Sequence, residues 1–148
     1  MKYLLITLLV SISPLPNKVS EGVYTFGGKD GVQLLSPCGK KDVNLDFDTV
    51  WEPTHGQVAA IEIKLINYLK SIDYYGLTLP ELHRQYVGFT KGEKSYIYGN
   101  FYKWESSRGE DDAFEPIIIC DGGTDYWVIV FDIKEFKFNG PFYNAAFN

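Results

Sequence analysis

The chain has 148 residues, enough for one domain with a sizeable core. Apolar residues make up 45% and charged residues 22%, which excludes a disordered chain. A net charge of −5 repels phosphate backbones and anionic headgroups, so neither nucleic acid nor a membrane surface is expected as a partner.

The chain opens MKYLLITLLVSISPLPNKVS. Lys2 followed by the apolar run Leu4 to Val10 has the shape of a secretory signal and is too short to cross a bilayer, which takes about 20 apolar residues. Residues 1–20 are therefore expected to be a signal peptide and 21–148 a single domain, with no stable membrane span in the mature chain. An extracytoplasmic location, periplasmic or secreted, follows. There, an even count of two cysteines points to a disulfide between Cys38 and Cys120.

Val23 to Phe26 reads as a strand, Gly27 to Gly31 as a turn and Val32 to Leu35 as a second strand. Ser36 to Asp48 is polar and irregular. Thr54 and Gln57 have the spacing of a capping box, and Val58, Ile61, Leu65, Leu69 and Ile72 then recur on one helical face. This predicts an amphipathic helix over 55–72. Arg84 to Phe89 alternates as a strand, Thr90 to Glu93 is a glycine turn, and Lys94 to Lys103 is the next strand. After the charged loop 106–115, strands are predicted at 116–120, 126–133 and 136–138, the last ended by Asn139-Gly140-Pro141.

These elements predict an α+β fold: one amphipathic helix packed on a curved antiparallel sheet of about four to six strands. The element order resembles cystatin-like folds in architecture. The inhibitor signature Gln-x-Val-x-Gly is absent, since Gln85-Tyr86-Val87-Gly88 lacks its spacing. The strings HRQYVGF, SYIYGNFY, IIICDGG and FKFNG, over roughly residues 83–140, resemble small exported bacterial proteins without an assigned activity. That resemblance implies a shared fold and no chemistry.

Catalysis finds weak support. A Cys120 nucleophile would need His55 or His83 as base and Asp121 or Asp125 as orienting group, yet Cys120 ends an apolar strand with no helix signal after it. The Asp121 to Asp125 stretch offers too few oxygens for calcium and reads as a turn. Glu110, Asp111 and Asp112 sit in a polar run that fixes no carboxyl separation. No metal site and no cofactor are expected.

The aromatic strand is the strongest binding feature. Tyr96, Tyr98, Asn100 and Tyr102 share one face, and Trp104 extends it, while Ile97 and Phe101 share the other. If the helix covers Ile97 and Phe101, the tyrosines face outward and can anchor a protein partner or stack on a glycan. A non-catalytic binding protein of inhibitor or immunity type is the function expected, meeting its partner on this open face or at the turns near Gly92 and Gly122. A carbohydrate or envelope-polymer binder is the second reading, and a Cys-dependent hydrolase the third.

Overall fold

A computed structural model of the chain describes residues 17–35, 45–74, 76–103, 113–120 and 122–144. Its elements are β1 (Asn17–Ser20), β2 (Val23–Phe26), α1 (Gly28–Leu34), β3 (Thr49–Trp51), α2 (His55–Ser71), a 3-10 turn (Leu79–Glu81), β4 (Leu82–Lys91), β5 (Lys94–Lys103), β6 (Gly123–Asp132) and β7 (Lys137–Asn144). The fold is α+β, with a mostly antiparallel sheet ordered β1-β2-β4-β5-β6-β7.

Strands β4 to β7 form an antiparallel meander. Along the edge of β4 away from β5 lie two short strands, end to end. β2 runs parallel to Arg84–Val87 and β3 antiparallel to Gly88–Thr90. Where they meet, the Thr25 hydroxyl donates to Glu52 Oε1 at 2.8 Å. β1 pairs with β2, so the last four residues of the segment read as a leader lie in the sheet. Residues 1–16 lie outside the described residues.

α2 forms as its sequence directs, except that it ends at Ser71 and Ile72, expected on the buried face, is its exposed C-cap. Thr54 Oγ1 accepts from the Gln57 amide at 3.2 Å, and the Gln57 side chain accepts from the Thr54 amide at 2.9 Å. The two bonds satisfy polar groups that a helix start leaves open. Val58, Ile61, Leu65 and Leu69 are buried against Tyr86, Ile97, Phe101, Trp127, Ile129 and Phe131. Burying four such side chains contributes roughly 6–12 kcal/mol before chain entropy is counted. Register is fixed by polar contacts beside this stripe. Arg84 Nε lies 2.9 Å from Glu62 Oε1, which also accepts from the Tyr86 hydroxyl at 3.0 Å. Arg84 Nη1 donates to the Leu79 carbonyl.

The stretch 27–35 departs from expectation. In place of a turn and a strand it forms α1, with Gly31 N donating to Gly27 O and Leu35 N to Gly31 O. The reason is tertiary. A Cβ on Gly31 would sit 2.7 Å from Val50 Cγ1 and 2.8 Å from Val87 Cγ2, so glycine lets the helix backbone lie directly on β3 and β4. Leu34 and Leu35 then pack with Tyr24, Phe26, Val87, Tyr98 and Val128 into a second core on the sheet face opposite α2.

Residues 116–120, expected to be a strand, are irregular. β7 does not stop at Asn139-Gly140-Pro141 but runs through it. The register shifts there, Val128 facing Phe142 and Val130 facing Asn139. Such a bulge admits a proline because one residue is left out of the ladder. The β4–β5 turn is as expected, with Gly92 at a φ of +58° and its N–H donating to Asp48 Oδ2 at 2.7 Å.

Candidate functional site

The sheet sorts its aromatic residues as the alternation predicts. Ile97 and Phe101 lie under α2, and Phe101 stacks on Trp127 with centroids 3.9 Å apart. The other face, expected to be open, is covered. Tyr98 is fully buried, and Asn100 and Tyr102 are buried beside it. A second layer made by α1, residues 45–47 and residues 113–117 packs over them. Of the predicted binding residues only Tyr96 is partly exposed, and Trp104 lies outside the described residues. Asn100 has a structural task, since its amide donates to Ile117 O at 2.8 Å.

The residues considered for catalysis are dispersed or occupied. Cys120 is not a free thiol. Cys38, Asp121 and Glu110 to Asp112 lie outside the described residues, and the turn expected at Gly122 is described only from that glycine onward. His55 is exposed at the start of α2. The His83 ring lies between Tyr24 and Tyr102, at centroid distances of 6.3 and 5.6 Å. It is partly exposed and lines a cleft of about 630 Å³ with Glu21, Leu77, Glu81 and Lys103. One of the two acids in that cleft, Glu81, is engaged. Glu81 Oε2 accepts from the Thr78 amide at 2.7 Å and the Thr78 hydroxyl at 2.8 Å. The hydroxyl bond first, then the amide bond, holds its carboxyl below the usual range. Among the described residues, no three or more His, Cys, Asp or Glu side chains are gathered to hold a metal.

The outer flank of α2 is different. Ile63 is 68% exposed and Ile66 44% exposed, with exposed Ala59 one turn before Ile63. They stand on one side of the helix, away from the buried stripe. Ile66 continues into a groove of about 290 Å³ whose walls include Leu69, Lys70, Tyr74, Leu77 and Leu79. The groove is held in shape by Tyr74, whose hydroxyl donates to Leu77 O at 3.2 Å and whose ring packs on Trp127 at 5.5 Å. Burial pushes the pKa of that hydroxyl up to about 12. Among the described residues, Lys70 is the one charged residue lining the groove. Between the buried positions of α2 the sequence also carries polar Glu62, Lys64, Asn67 and Lys70, which mask this flank. The overlooked signal was two isoleucines placed off the buried stripe.

No helix among the described residues is long and apolar enough to cross a membrane. No family model, curated protein or solved structure matches this chain. Its chemistry is therefore read from the α+β domain itself, where a polar cleft lies beside His83 and an apolar flank lies on α2.

Proposed function

We propose that the chain is a small exported, non-catalytic binding protein of inhibitor or immunity type, which meets a protein partner on the outer flank of α2. One observation carries this reading: Ile63 and Ile66 are exposed and run on into an apolar groove. Solvent-exposed isoleucines pointing away from the core contribute little to folding, and grouped with a groove they mark a surface that another protein covers. The occupant is an apolar side chain with a carboxylate beside it, complementary to the groove walls and Lys70.

The rest of the proposal follows from composition and order of elements. α2 followed by the β4–β7 meander is the order found in cystatin-like arrangements, although α1 and the parallel β2 add a layer beyond it. Cys120 is not a free thiol and Cys38 is the only other cysteine, which favours a Cys38–Cys120 disulfide and export to an oxidising compartment.

The test is site-specific photo-crosslinking from position 66 in the native envelope or medium. One dominant adduct is expected, lost when Ile63→Asp is added and retained with Glu135→Ala. A ladder of equal products, insensitive to Ile63→Asp, would falsify the reading. Should the adduct be a second copy of the chain, the surface is a self-association face and the inhibitor reading fails.

A further inference from the structure

Among the described residues, the layer that covers the tyrosine face leaves part of it open at the β5–β7 end. Sheet register places a defined set of groups there. Phe89 faces Tyr96, Tyr96 faces Asp132, and Asp132 faces Lys137. In the next row Val130 faces Asn139. An open cleft of about 480 Å³ is lined there by Lys94, Tyr96, Asp132, Glu135, Lys137 and Asn139.

We propose that this cleft is a binding subsite for a neutral pyranose, held by stacking on Tyr96 and hydrogen bonds from its polar rim. The inference is independent of the α2 surface. Tyr96 is partly exposed, while its inner side stacks on buried Phe89 at 5.1 Å and 20°. A ring backed in this way is a fixed platform that loses little freedom when covered. The C–H face of an equatorially substituted sugar is flat and apolar and suits such a platform. Its hydroxyls need donors and acceptors around the ring, and Asn139 supplies both. Asp132 is held by its own turn, Oδ1 accepting from the Lys134 and Glu135 amides at 3.0 and 2.9 Å, and Oδ2 lies 3.9 Å from Lys94 Nζ. Two cations face two anions in the lining, so the cleft has no net charge to select an ionic ligand.

Titration of the full chain with cellohexaose and with chitohexaose, followed by calorimetry, tests this. Saturable binding to at least one is expected. Tyr96→Ala and Asn139→Ala should each weaken it, the first by about tenfold or more, and Tyr96→Phe should retain it because the ring remains. Far-ultraviolet circular dichroism confirms that each variant is folded, and the exposed Asn139 keeps the test open if Tyr96→Ala is not. Binding of neither hexasaccharide, or binding unaffected by both Tyr96→Ala and Asn139→Ala, overturns the proposal. Binding only of polygalacturonate, lost in Lys94→Ala, overturns the neutral ligand class.

Discussion

Gln85 and Asn100 stand opposite each other across the β4–β5 hairpin, and together they hold residues 113–117 against the sheet. Gln85 Oε1 accepts from the Ile117 amide at 2.9 Å, and its Nε2 donates to the Glu115 carbonyl at 2.7 Å. Asn100 Nδ2 donates to the Ile117 carbonyl at 2.8 Å. Two side-chain amides thus supply the hydrogen bonds that a neighbouring strand would otherwise give this segment.

Gln85→Leu should therefore destabilise the fold by roughly 2–4 kcal/mol, because it strands the Ile117 N–H and the Glu115 carbonyl in a partly buried site. Urea unfolding gives the magnitude. Native-state hydrogen exchange gives the location, with Ile117 expected to lose protection before residues of α2. Equal loss throughout would mean that the amide pair holds no local segment.

What could be read from sequence follows how local its causes are. α2 carries its cap and buried stripe within one continuous stretch, and β5 carries its alternation, so both were legible. The partition of Tyr98 from Phe101 was legible for the same reason. The fate of each face was not, because α1 and residues 113–117 reach the sheet through contacts distant in sequence. Gln85 and Asn100 were a visible hint: each is a polar residue in a row whose neighbours Val87 and Tyr98 are core. Ile63 and Ile66 were a second hint, apolar residues off the helix stripe.

Gly31 tests whether α1 is seated by close approach. Gly31→Ala gains about 1 kcal/mol of helix propensity, yet its methyl would meet Val50 and Val87 at 2.7 and 2.8 Å. A net loss of about 1–3 kcal/mol is expected. Val50→Ala should recover part of that loss in a double-mutant cycle. Additive effects would show that α1 is not held against Val50.

Alkaline stability should report the buried tyrosines. Burial raises the Tyr98 hydroxyl above its ordinary pKa of 10.0. Burial, then the Glu62 carboxylate, does the same for Tyr86. The unfolded chain releases these protons first, so the stabilisation is complete below about pH 10 and declines above it. Each such tyrosine contributes a slope of about 1.4 kcal/mol per pH unit in that window. Tyr98→Phe should flatten the decline in urea midpoint by one such increment. An unchanged slope would place the Tyr98 hydroxyl in contact with solvent.

The α2 surface is tested most directly by the affinity of the crosslinked partner, once purified, for three forms of the chain. Ile66→Asp should weaken binding by about 30-fold, the loss of one interface hot spot. Tyr96→Ala should bind that partner as the unmodified chain does. Undiminished binding by a folded Ile66→Asp variant would contradict the assignment of this helix flank as the binding surface.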